Sequence, residues 1–210
     1  MSRVVVAVMV LSMQSTPSSL LRRQSGTTLI EVMVAILVLS IALLGIAGLT
    51  SASMRYSQGS WARAAVASAL TDLADRVRSN PAALATAYLQ TTDNYATQQG
   101  TSYALSSPTD CSSATCTPAD MAAYQLEQWR LSVKRNLPSS AIWVSGSRTT
   151  GYEATVMWFD KSFVKADGST LDTSATCASS ITNAIAQRNC CPSSAAVPDG
   201  VRCTNMTIVP

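Results

Sequence analysis

The 210-residue sequence contains no histidine, 47% of its residues are hydrophobic, and only 13% are charged, against about 25% in ordinary soluble domains. Its 15 basic and 12 acidic side chains give a net charge of +3, yet Arg3, Arg22 and Arg23 all fall within the first 26 residues, where no acid occurs. The remainder is formally neutral, which argues against nucleic acid as the main partner, and the missing histidine excludes Ser-His and Cys-His nucleophile pairs.

In chain order, Val4 to Leu11 is an apolar run too short to cross a bilayer. Initiation at Met13 would give a basic leader of conventional form. Residues 22 to 50 read "RRQSGTTLIEVMVAILVLSIALLGIAGLT", and from Val32 to Leu49 the only polar side-chain group is the Ser40 hydroxyl. With Thr27 to Glu31 added, the stretch reaches the ~20 residues a membrane helix needs. Arg22 and Arg23 precede it, whereas the first charge after Glu31 is Arg55, so the N-terminal side is expected to stay cytoplasmic and everything beyond about residue 50 to be exported. A cleaved secretory signal places its small-residue cut site after the apolar run, but here Ser25-Gly26 comes before it. Glu31 is the anomaly: a charge at the centre of a membrane helix costs roughly 2.5 to 3.5 kcal/mol, so this carboxylate needs a partner.

Gly26-Thr27-Thr28-Leu29-Ile30-Glu31-Val32, with arginines before and an apolar run after, resembles the class III signal of type IV prepilins. The resemblance implies that a membrane prepilin peptidase cuts after Gly26 and methylates the new amine of Thr27. It also implies that Glu31, fifth in the mature chain, faces that amine on a neighbouring subunit. A carboxylate and an ammonium in a low-dielectric bundle are each costly alone and tolerable together. Family members most often have phenylalanine where this chain has Thr27.

Beyond the membrane segment, Trp61, Ala65, Leu70, Leu73 and Val77 follow helical spacing, with Arg63, Asp72, Asp75, Arg76 and Arg78 mostly off that stripe. No proline interrupts residues 18 to 80, and Asn80-Pro81 is a natural stop. A helix from Thr28 to Ser79 spans about 78 Å at a rise of ~1.5 Å per residue. Gly45 and Gly48 inside it each cost about 1 kcal/mol of helix propensity; they are close-packing positions, a place where the helix loosens, or simply tolerated.

Residues 81–117 are rich in Ser, Thr and Gln, with Tyr88, Tyr95 and Tyr103 as large anchors, and read as a surface loop with one weak strand. Thr117 and Pro118 then form a helix start, cap and first turn. The helix "PADMAAYQLEQWRLSVKRNL" is expected to bury Met121, Tyr124, Leu126, Trp129 and Val133 in part. Its Arg130, Lys134 and Arg135 form a small basic cluster on a solvated face, with a DNA or partner contact as the alternative. Strands are expected from Ala141 ("AIWVSG") and Tyr152 ("YEATVMWFD"), the second alternating so that one face meets a core covered by the long helix, and a last strand at "TNMTIVP".

All six cysteines, Cys111, Cys116, Cys177, Cys190, Cys191 and Cys203, lie in the exported part, where disulfides persist. Cys111 and Cys116 enclose a short loop and are expected to pair. Cys190 and Cys191 are adjacent and poorly placed to bond each other, so Cys177 and Cys203 are their expected partners, in either assignment. Zinc is disfavoured, because there is no histidine and no pair of C-x-x-C motifs. No G-x-S-x-G elbow, Gly-rich phosphate loop, carboxylate pair or calcium loop appears, so neither an enzyme nor a cofactor is expected. Asn205-Met206-Thr207 fits the glycosylation sequon without a reason to expect its use.

"CTPADMAAYQLEQWRLSVKRNLP", followed by strands ending in "VMWFD", resembles the globular part of PilV-type minor pilins, also called type IV pilus modification proteins. Together the resemblances imply an α+β type IV pilin fold: a long N-terminal helix, its first half membrane-spanning, packed on an antiparallel sheet, with an extra helix and a disulfide-stapled C-terminal region. The expected parts are a leader at 1–26, a transmembrane and filament-core helix at 27–50, its amphipathic continuation at 51–80 and a periplasmic or extracellular domain at 81–210. The implied role is a minor pilin, held in the inner membrane and then built into a type IV pilus. Its implied partners are prepilin peptidase, the major and other minor pilins and the inner-membrane assembly platform, with no nucleic acid. A type II secretion pseudopilin and a pilus-tip adhesin or DNA-binding pilin are the alternatives.

Overall fold

The computed structural model describes residues 28–100, 103–105 and 108–210, and the chain divides into two compact units, 1–48 and 49–210. Helix α1 is Leu29–Ser79. It opens where the Thr28 carbonyl accepts from the amides of Glu31 and Val32 at 3.0 and 3.3 Å. Glu31 sits in that first turn, where the helix dipole favours a negative charge. Every described residue of the first unit is exposed, so among the described residues its apolar side chains have no covering core. By length and composition α1 can cross a membrane.

In the second unit α1 buries Ala62, Val66, Leu70, Leu73, Ala74 and Val77, the three- and four-residue spacing that puts side chains on one helical face. Trp61 is not on that stripe: it is 56% exposed, because the buried series begins one residue, and so about 100° of helix, further on. The helix stops before Pro81, and Asn80 is held by its side-chain amide donating to the Pro118 carbonyl at 2.8 Å.

Helix α2 (Tyr95–Gln98) is a single turn, and helix α3 is Pro118–Asn136. A capping box starts α3: Thr117 Oγ1 accepts from the Asp120 amide, and the Asp120 carboxylate from the Thr117 amide, both at 3.2 Å. Strands β1 (Ala141–Ser147), β2 (Gly151–Phe159) and β3 (Val201–Ile208) form an antiparallel sheet in the order β1-β2-β3. Gly146 is required at the first hairpin, since its φ is +90° and a Cβ there would lie 2.2 Å from the Gly151 carbonyl oxygen. Helix α4 (Ala184–Asn189) and a 3₁₀ turn (Ser193–Ala195) precede β3.

Ile142, Val144, Tyr152, Ala154, Val156, Trp158 and Ile208 form one face of the sheet and pack with α1 and with Trp129, Val133 and Leu137. The Trp129 indole N–H donates to the Ala69 carbonyl at 2.6 Å, tying α3 to α1. The opposite face is also covered, contrary to the one-faced expectation: Ala141, Trp143, Met157, Val201 and Cys203 lie under Tyr95, Cys191 and Ala195. Residues 81–117 are likewise more than a surface loop. They bury Tyr88, Gln90, Tyr95, Gln98 and Leu105, form α2, and make one isolated bridge, Gln90 to Val144. On α3, Leu126, Trp129 and Val133 are buried and Met121 and Tyr124 half-buried, in line with the partial burial expected of this stripe.

Candidate processing and assembly site

Gly26 and Thr27 lie outside the described residues. Glu31 follows in the first turn of α1, exposed, and among the described residues no cation pairs with it. Around it lie Ile30, Val32, Val34 and their successors through Leu49, all exposed. The Ser40 hydroxyl donates to the Ile36 carbonyl at 2.7 Å, which removes the one polar side-chain group of that run from competition. A Cβ on Gly45 or Gly48 would meet nothing within 4 Å, so packing within the chain does not require glycine at either position.

The structure joins Cys111 to Cys116, Cys177 to Cys190 and Cys191 to Cys203, resolving the assignment that the sequence leaves open. Cys177–Cys190 closes residues 173–200 on themselves, and Cys191–Cys203 binds that segment to β3 on the outer face of the sheet. Asn205 completes that attachment. Its Nδ2 donates to the carbonyls of Gln187 and Cys190 at 2.8 and 2.9 Å, and its Oδ1 accepts from the Thr155 hydroxyl at 2.7 Å. The sequon asparagine is therefore a buried structural residue.

The expected basic cluster on α3 does not exist as such. Lys134 and Arg135 are exposed, but Arg130 is buried against Glu127 at 2.6 Å. The opposite charges three residues apart on a helix were the signal for this pair. Other charged groups are also engaged. Gln90 and Tyr103 donate to Asp93 at 3.1 and 2.8 Å, lowering its pKa, while burial and this same carboxylate raise that of Tyr103. Asp72 holds Arg76 at 3.1 Å, and Asp160 holds Arg202 at 2.7 Å. Among the described residues no group of three or more His, Cys, Asp or Glu is placed to hold a metal ion.

A long N-terminal helix, a three-stranded antiparallel sheet, an extra helix and disulfides make up the type IV pilin fold. Residues 49–127 match the Tt1218-like family, described as type IV pilin Tt1218, and residues 21–47 match the prokaryotic N-terminal methylation motif. Residues 21–47 are thus similar to a methylation motif and residues 49–127 to a type IV pilin, whose family is structural. The motif implies processing by prepilin peptidase and assembly with other pilins, and with the apolar helix it fits membrane anchoring and incorporation into a pilus. No curated protein and no solved structure matches the chain.

Proposed function

We propose that the protein is a minor pilin of the PilV type, stored in the inner membrane and built into a type IV pilus. In this reading residues 1–26 are a cytoplasmic leader, 27–50 the membrane and filament-core helix, 51–80 its continuation and 81–210 the exported domain. Prepilin peptidase cuts after Gly26, and Thr27 carries the methylated amine. Glu31 then meets the amine of a neighbouring subunit in the filament.

The observation that carries this reading is the position of Glu31: one carboxylate without a cation among the described residues, in the first turn of an otherwise apolar exposed helix, directly after the leader's arginines. A lone charge in that setting is costly, and a partner from another chain removes the cost. The apolar run meets the same condition, since it is exposed among the described residues and lipid or other copies of the helix can cover it. Mass spectrometry of the mature protein tests the processing step. The expected N-terminal peptide begins at Thr27 and carries one methyl group. A mature chain beginning elsewhere, or an uncut precursor in cells with active peptidase, contradicts the proposal.

A further inference from the structure

Trp61 is 56% exposed, whereas Trp129, Trp143 and Trp158 are buried. It borders a groove of about 330 Å³ between α1 and the C-terminal half of α3. On α1 the groove is lined by Trp61, Ala65, Ser68, Ala69 and Asp72, whose three- and four-residue spacing makes one strip of the helix. That strip is roughly 16 Å long at a rise of ~1.5 Å per residue. Ala65 and Ala69 keep it hollow, because each places a single methyl group where a longer side chain would fill the space between Trp61 and Asp72. The floor is apolar and fixed. Val133 and Leu137 of α3 are each 2% exposed, and the Trp129 indole that ties α3 to α1 donates to the carbonyl of Ala69 itself.

Around that floor stand polar groups that the fold does not use. The Trp61 indole N–H and the hydroxyls of Ser68 and Ser132 make no hydrogen bond with a described residue. Asn136 donates its side-chain N–H to the Ser132 carbonyl at 3.0 Å, and its side-chain oxygen accepts from no described group. Both oxygens of Asp72 accept from Arg76 Nε at 3.1 Å, which offsets the charge and still leaves the carboxylate lone pairs to offer. This lining selects among ligands. An anion would meet Asp72, the one charged side chain of the lining, and a cation would have to compete with Arg76. A hydrocarbon would take the free donors and acceptors out of water without pairing them. A neutral sugar meets each condition, since its hydroxyls both donate and accept and the C–H face of its ring fits an indole face.

We propose that this groove binds a short neutral oligosaccharide, with one pyranose ring lying on Trp61 and hydroxyls of the chain reaching Ser68, Ser132 and Asp72. Trp61 supplies rigid apolar contact area at little cost in conformational entropy, and the polar groups along the strip fix the orientation of the sugar. The ligand is a chain rather than a buried molecule, because the groove is open along its length and small among ligand sites, which run from about 300 to 1,000 Å³. The inference does not depend on the processing or membrane assignments.

The test uses the full chain in micelles of a sugar-free detergent, titrated with neutral trisaccharides of glucose, galactose or N-acetylglucosamine. The tryptophan indole N–H signals are read by NMR, with that of Trp61 identified by its loss in Trp61→Phe. At least one trisaccharide is expected to shift the Trp61 signal saturably and to leave the signal of Trp129 in place. Affinities of the variants are followed on the sugar by saturation transfer. Trp61→Ala should weaken binding about tenfold, with part of the loss recovered in Trp61→Phe, and Asp72→Ala about fivefold. Ala65→Leu fills the hollow without touching a polar group and should abolish binding. No saturable shift with any of the three sugars overturns the proposal, as does wild-type affinity in Trp61→Ala. So does a Trp61 signal that moves when the protein alone is concentrated, which would make the groove a contact between copies. Should Ala65→Leu fail to fold, Trp61→Ala decides, because its side chain lies outside the core.

Discussion

Glu127 and Arg130 form a buried ion pair within one turn of α3, at 2.6 and 2.8 Å, with their side chains only 9% and 5% exposed. The pair also grips a distant segment: Glu127 accepts from the Leu105 amide at 3.2 Å, and Arg130 donates to the Tyr103 carbonyl at 3.2 Å. Glu127→Ala therefore strands a buried guanidinium and frees residues 103–105. The expected loss is about 3 to 5 kcal/mol. Glu127→Ala combined with Arg130→Met should lose less than Glu127→Ala alone, because no uncompensated charge remains. Urea denaturation of the single and double variants checks both statements.

The disulfides should contribute unequally. The Cys111–Cys116 bridge closes a separation of only 5 residues at an exposed loop, whereas Cys191–Cys203 closes 12 and lies in the outer core. Replacing Cys191 and Cys203 by alanine should cost about 2 to 4 kcal/mol, and the Cys111 and Cys116 pair clearly less. Thermal melts of the two double variants give the order. Thiol titration of the unfolded, unreduced protein isolated from an oxidising compartment should find no free cysteine, and two or more free thiols contradict the pairing.

The strands, the α3 cap and the Leu70, Leu73 and Val77 part of the α1 stripe were legible because each is written in local periodicity or in a capping residue, whereas Trp61 was wrongly placed on that stripe. The covered outer face of the sheet was not. Residues 173–200 carry few large apolar side chains, and the layer is held by Cys191–Cys203, Cys177–Cys190 and the Asn205 hydrogen bonds, none of which has a period. Arg130 was misread for a related reason. Its charge and its spacing from Glu127 are local, but its burial comes from residues 103–105, more than twenty positions away. Gln98 gave no signal at all: its side-chain amide accepts from the Ile142 amide at 3.0 Å and donates to the Ile142 carbonyl at 2.8 Å, but a glutamine that mimics a strand looks like any loop glutamine. Gly26, Thr27 and Glu31 stood out as a motif, and the exposure of α1 around Glu31 adds the physical reason for a partner.

Asp160 and Tyr95 both contribute to the pH dependence of the second unit's stability. Burial alone would raise the pKa of Asp160, but the Ser162 hydroxyl and amide together with Arg202 outweigh it and hold the carboxyl below its usual 3.8. Its stabilisation is complete above pH 3.8 and is lost as the pH falls through the lower folded value. Burial pushes Tyr95 up from 10.0 to about 12, so its contribution holds below pH 10 and disappears between 10 and 12. Asp160→Asn should flatten the acid limb of a stability-against-pH curve, and Tyr95→Phe the alkaline limb. Unchanged limbs would show that other groups govern them.

Processing should depend on the glycine before the cut. Gly26→Leu places a bulky side chain where the peptidase must receive a narrow strand of backbone, and an immunoblot should show the precursor alone. Mature protein at the wild-type level would falsify the assignment of the cut.

The most direct test of the account separates processing from assembly at Glu31. Glu31→Gln and Glu31→Val leave Gly26 and the arginine flank unchanged, and valine makes the helix better suited to lipid. Both variants should be inserted and cleaved as wild type is. Assembly should fail instead, because the methylated amine of a neighbouring subunit is left without its acid. The measurement compares processed protein in the membrane with protein recovered in sheared pili, for wild type and each variant. The account predicts normal processing with little or no variant protein in pili; processed variants that enter pili at the wild-type level would contradict it.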